Sequence, residues 1–124
     1  MRKFLMTLIL ALLFPISNAL ATTPPPSQGA MFPVQSISLS YDLVSASLHV
    51  TADHPSANWE RDYVRMMTVA LNGELVSTLN YHYQKIPNGF SDDVPLKAKI
   101  GDVITVELFC TQGSSLSKDL TVTK

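Results

Sequence analysis

Cysteine is almost missing from this chain. Among 124 residues there is one, Cys110, so no internal disulfide can staple the fold. There is no Cys-x-x-Cys pair, no His-Glu-x-x-His and no glycine-rich loop able to cradle phosphates, which removes the local signatures of redox dithiol, zinc-protease and P-loop chemistry. No internal repeat is present, and no second long apolar run follows the one at the N-terminus. Basic charge is also scarce. Beyond Arg2 and Lys3 there are seven basic residues against ten acidic ones, a net charge of −3. Neither nucleic acid nor an anionic membrane surface is an expected partner.

The N-terminus has the form of a secretory signal. Arg2 and Lys3 precede the apolar run Phe4 to Phe14, which is too short to anchor in a bilayer, and Ala19-Leu20-Ala21 supplies a small-residue cleavage site. No cysteine follows the run, so lipoprotein processing is not expected. Residues 1–21 are assigned as a signal peptide and the product as periplasmic or secreted, soluble after cleavage and a monomer or weak dimer. Residues 22–33, with Pro24-Pro25-Pro26, form an extended tether. Residues 34–124 are one small domain.

Within that domain the apolar period is two. Ile37, Leu39 and Tyr41 alternate with serines. Leu48, Val50 and Ala52 follow, then Met67, Val69 and Leu71. Asn72-Gly73 is a two-residue hairpin turn signal, with Leu75, Ser77, Leu79, Tyr81 and Tyr83 on the return strand. Val94 and Leu96 flank Pro95, which marks an edge. Gly101-Asp102 opens the strand Val103 to Cys110, and Leu120 and Val122 mark the last one. About seven short strands without a helix predict an all-β immunoglobulin-like sandwich, with a small closed barrel as the alternative. The Cys…Trp…Cys spacing of antibody domains is absent.

Chemistry-bearing residues concentrate in Asp53 to Val64, which contains His54-Pro55, Trp59, Glu60 and Asp62. A histidine at a strand end held by a proline can serve as a ligand or proton carrier; its ordinary reading is a solvated loop residue. Strand parity puts Cys110 on the inward face, where a thiol is ordinarily a small hydrophobe. It nevertheless ends its strand at the polar loop Thr111-Gln112-Gly113-Ser114-Ser115, where a ligand would be reachable. Three fates remain open: inert burial, an intermolecular Cys110–Cys110 disulfide, or metal binding, for which thiolate with imidazole suits iron, zinc or copper. A Cys–His nucleophile pair would need His54 against Cys110 and a third orienting group, which the sequence does not display. Asp92-Asp93 is read as solubilising charge in a loop.

The stretch from about Ile37 to Val122 resembles the iron-binding domain of superoxide reductases, the desulfoferrodoxin and neelaredoxin family. The shared pattern is His54-Pro55 at a strand end, Tyr63-Val64 opening a strand that runs to Asn72-Gly73, and a late Gly101-Asp102 opening a strand that closes on Cys110. The resemblance implies an immunoglobulin-like sandwich and a single iron held by four histidines and a cysteine thiolate, which reduces superoxide to peroxide. His54 and Cys110 match two ligands. Asp62 stands where the family has the histidine before Tyr-Ile, Gly113 stands where it has the histidine three after the cysteine, and the upstream histidine has no counterpart. A His54–Asp62–Cys110 trio is the reduced set the sequence offers, with iron as the implied metal.

The function expected is that of a non-catalytic binding or structural module with a degenerate iron site. An iron-binding oxidoreductase with a reduced ligand set is the alternative. The Z subunit of sulfur-oxidation carrier complexes, similar in outline, works by binding a partner protein and makes a protein partner the analogous expectation here. The Trp59 loop and Tyr81-His82-Tyr83 are the contact candidates.

Overall fold

The structure is a computed structural model and describes Pro33–Lys124. Residues 1–21, expected to be a signal peptide, and all of the expected tether but Pro33 lie outside the described residues. The described chain forms seven strands: β1 Ser36–Asp42, β2 Ser47–Asp53, β3 Val64–Leu71, β4 Glu74–Asn80, β5 Gly89–Pro95, β6 Val103–Cys110 and β7 Ser115–Thr121. They build two antiparallel sheets, ordered β1-β2-β5 and β4-β3-β6-β7. No described residue is helical.

The period-two pattern explains the layering. Successive side chains point to opposite faces of a strand, so each strand donates every second residue to one core. Ile37, Leu48, Val50 and Val94 come from the first sheet, and Met67, Val69, Ile104, Val106, Leu108 and Cys110 from the second; all are buried. Strand β6 shows the cleanest alternation, every second residue being fully buried from Ile104 to Cys110. Each large aliphatic chain withdrawn this way contributes about 1.5–3 kcal/mol. The outer face of the three-stranded sheet is polar: its cross-strand rows read Ser38–Thr51–Ser91 and Ser40–His49–Asp93.

Two departures from the expected strands have a physical cause. Val69 pairs with Ser77 but Ala70 pairs with Leu75, so Val76 is an extra, bulged residue in β4. A bulge reverses the parity of what precedes it. Leu75 therefore shares the outward row of Ala70 and is 61% exposed, while Leu79 still packs on the core. The return strand also stops at Asn80. Tyr81 packs on the core, but Tyr83 is exposed and belongs to the loop before β5. Asp92 and Asp93 lie within β5, not in a loop.

At one end of the sheets Asn72-Gly73 turns β3 into β4, both residues with positive φ, as a tight two-residue hairpin requires. Asn72 also accepts the N–H of Val103 at 2.9 Å and donates to Asp102 at 3.1 Å. Tyr41 donates to the carbonyl of Leu96 and accepts the N–H of Ala98, tying the β5–β6 connection to β1. The candidate residues lie at the other end.

Candidate functional site

Three loops converge where β2 and β6 end. The first leaves β2 at Asp53 and begins with His54-Pro55. It is folded on Asn58, whose carbonyl accepts the N–H groups of Arg61 and Asp62 at 3.1 and 2.8 Å and whose side chain accepts the N–H of Glu60 at 3.1 Å. Ser56 donates to the carbonyl of Asp62 at 2.7 Å. This local bonding turns Asp62 inward. The second loop, between β4 and β5, is docked by His54 N–H to Asn88 O and Gln84 N–H to Trp59 O, at 2.9 and 2.8 Å. The third follows Cys110 and is stitched to the first by Thr111, which bonds the backbone of both Tyr63 and Arg61.

The result is a sealed polar cluster. His54 and Cys110 are fully buried, Asp62 is 2% exposed and Gln84 5%. The His54 Nδ1–H donates to Gln84 Oε1 at 2.7 Å, and Nε2 lies 3.4 Å from Asp62 Oδ1. The ring is also hydrogen-bonded to the Cys110 thiol. Gln84 is fixed in turn, its amide donating to the carbonyls of His54 and Ile86 at 3.2 and 3.0 Å. His54 is thus not the solvated loop residue its ordinary reading predicts. Pro55 and the docked β4–β5 loop carry it into the core, where its polar atoms need partners.

Electrostatics follows from this packing. Burial pushes His54 toward its neutral form, but the hydrogen bonds with Cys110 and Gln84 and the attraction of Cys110 and Asp62 outweigh it and raise the pKa to about 9. For Cys110, burial pushes the thiol up, while the His54 hydrogen bond, contacts with Val34 and Ser114, and the imidazolium charge bring it below its usual value. The arrangement favours an imidazolium–thiolate pair.

The structure places both Asp62 and Cys110 against the His54 ring. Gly113 sits in the loop after Cys110 with positive φ. His49 and His82 stand apart from the cluster, both exposed. The donors are engaged with one another: the imidazole bonds Gln84 and the thiol directly. Among the described residues no three of His, Cys, Asp or Glu stand in an arrangement that would hold a metal ion. As placed, these groups do not fit an iron centre, since a thiolate and an imidazole must aim their lone pairs at the metal and not at each other.

Gln84 completes what the sequence did not display, an orienting group on the far side of the imidazole. Cys110, His54 and Gln84 make a chain of the kind that activates a thiol nucleophile. Full burial of the thiol keeps any substrate from it. No residue spacing announces Gln84, because it lies in a loop where parity no longer applies. A second histidine contact also escaped the sequence: His49 Nδ1 meets Asp93 Oδ1 on the outer face of the three-stranded sheet. Its neighbour Asp92 accepts from the Tyr81 hydroxyl, and burial together with that carboxylate keeps the phenol protonated far above its usual range.

No protein-family model and no curated protein sequence matches this chain. No helix among the described residues is long and apolar enough to cross a membrane.

Proposed function

We propose that this chain is an exported, non-catalytic binding module, built on an immunoglobulin-like sandwich of the superoxide-reductase type, whose former iron centre has become a structural polar cluster. The observation that carries this reading is the complete burial of His54 and Cys110 with their polar atoms bonded to each other and to Gln84. A redox site needs a ligand-free coordination position and access for its substrate. A structural cluster needs closure and satisfied hydrogen bonds. The exposed Trp59 and Tyr83 give the domain residues suited to contact with a protein partner. A Cys110–Cys110 disulfide between two copies requires a reachable thiol and does not accord with this burial.

The alternative, an iron-binding oxidoreductase with a reduced ligand set, draws on the convergence of His54, Asp62 and Cys110. One experiment separates the two. Protein isolated from the periplasm is analysed for metal, then incubated anaerobically with ferrous iron and reoxidised. The binding-module reading predicts no stoichiometric metal and no thiolate-to-ferric charge-transfer band. Such a band, present in the native chain and absent from Cys110→Ser, would overturn it.

A further inference from the structure

The chain has two Asn-Gly pairs, Asn72-Gly73 and Asn88-Gly89, and the structure holds them differently. In such a pair the next main-chain nitrogen reaches the side-chain amide with the least crowding, because glycine has no side chain to shield it. Both asparagines are exposed and both have positive φ, 52° and 56°. Asn72 is fixed through backbone and side chain together. Its N–H donates to Val103 O at 2.8 Å, its Oδ1 accepts the Val103 N–H at 2.9 Å and its Nδ2 donates to Asp102 at 3.1 Å. Asn88 is fixed through its main-chain carbonyl, which accepts the His54 N–H at 2.9 Å. Among the described residues the Asn88 side chain has no hydrogen-bond partner, and Pro87 before it has no N–H to give.

We propose that Asn88 is a modification site: it deamidates to isoaspartate in the native protein ahead of Asn72, and the change unlatches the β4–β5 loop from the polar cluster. The Gly89 nitrogen attacks Asn88 Cγ. A bond forms between them, the Cγ–Nδ2 bond breaks, and ammonia leaves with the Gly89 proton. Water then opens the cyclic imide at either carbonyl, giving aspartate or isoaspartate. Gly89 is bridged to Ile86 across the turn, so the attack needs a local opening of that turn. The same opening at Asn72 must also free a side chain bonded at both of its polar atoms, and Asn88 leads for that reason. Isoaspartate runs the chain through the former side chain and lengthens it by one atom. The old main-chain carbonyl, which holds the His54 N–H, becomes a free carboxylate. Gly89 cannot absorb the added length, since it lies so tight on β2 that a carbon added at its Cα would stand 3.0 Å from Ala52 O. The displacement falls on residues 84–88, the segment that brings Gln84 to His54 and closes the cluster.

The test incubates the full chain in its native state in mildly alkaline buffer, beside a sample in urea that gives the rate of each pair in the open chain. Peptide mapping after methylation by an isoaspartyl methyltransferase locates the product. Native Asn88 should react about tenfold faster than native Asn72, the advantage of fewer hydrogen bonds to break, and the two should react at nearly equal rates in urea. Iodoacetamide should reach Cys110 in the isoaspartate fraction and not in the fresh protein. Asn88→Gly suits the positive φ and has no amide to lose. Incubated alongside, it should stay folded, gain no isoaspartate at that position and keep Cys110 closed. Equal native rates, Asn72 ahead of Asn88, or a native chain unmodified at Asn88 while the urea sample reacts to completion would overturn the assignment. An isoaspartate fraction whose Cys110 stays closed would overturn it too, because the loop would then have kept its latch.

Discussion

His49 and His54 are five residues apart, one within β2 and one just past its end, and each touches an aspartate. His49 is half-exposed beside Asp93 on the outer face of a sheet, and its side chain and that carboxylate are 50% and 69% accessible. His54 is fully closed off beside Asp62, Cys110 and Gln84. The residue types are alike and the consequences are not. Water solvates the first pair and competes with its attraction. The second pair has only protein around it, so each bond there stands in for lost hydration and each missing partner is costly. What distinguishes a structural histidine from a surface one is whether the loops close over it.

The largest effect should come from removing the centre of the closed cluster. His54→Ala leaves Gln84, Asp62 and the Cys110 thiol buried without their common partner, and truncating one member of a buried charged set costs about 3–5 kcal/mol. Urea denaturation should show a large fall in midpoint with little change in slope. A shift no greater than that of a surface variant would dissolve the contrast between the two histidines.

Gln84→Ala should come next. It removes the acceptor of the His54 Nδ1–H and two bonds to the carbonyls of His54 and Ile86. Leaving such groups unpaired costs about 1–3 kcal/mol. The loss should be accompanied by faster amide exchange in the 84–89 loop. Gln84→Glu should restore part of the stability, because a carboxylate also accepts from the imidazole but cannot donate to the two carbonyls.

The protonation of the pair gives a third, smaller effect with a definite sign. His54 has a folded pKa of about 9 against an ordinary 6.5, so its contribution is complete below pH 6.5 and lost as pH rises through about 9. Cys110 is shifted down from 9.0, so its contribution is complete above that value and lost as pH falls through the folded pKa. Below 9 the two shifts act in opposite senses, because the folded state holds the imidazole proton more strongly and the thiol proton less strongly than the unfolded state does, so their pH slopes oppose each other. The His54 ring resonances should titrate with a midpoint near 9 and move to lower pH in Cys110→Ser. A midpoint unmoved by that substitution would mean that the thiol does not support the imidazolium.

Much of the fold was legible in advance because period-two alternation is a direct record of which face meets the core. Cys110 could be placed inward from Ile104, Val106 and Leu108 alone. The bulge at Val76 was not legible. It turns on one unpaired residue in the register between β3 and β4, and nothing in Leu75-Val76-Ser77 distinguishes it from ordinary alternation. In the site, His54 and Cys110 could be nominated from their positions at strand ends, and Asp62 only from a resemblance to the superoxide-reductase pattern. Their burial could not, since closure depends on how the β4–β5 loop docks through Asn88 and Gln84. Gln84 carries no local signal, and the His49–Asp93 contact exists only because β5, three strands further along the chain, returns to pair with β2.

That last contact supplies the small end of the comparison. His49→Ala removes a cross-strand pair between β2 and β5 whose members both remain solvated once separated. Exposed pairs of this kind contribute about 1 kcal/mol or less, so the urea midpoint should hardly move, and what effect there is should shrink as salt is added. Asp93→Asn should behave in the same way, and the double variant should add little to either, because both remove the same interaction. A loss approaching that of His54→Ala would mean that the outer face of the three-stranded sheet holds the β2–β5 register as firmly as the core does, and the distinction drawn from burial would fail at its solvated end.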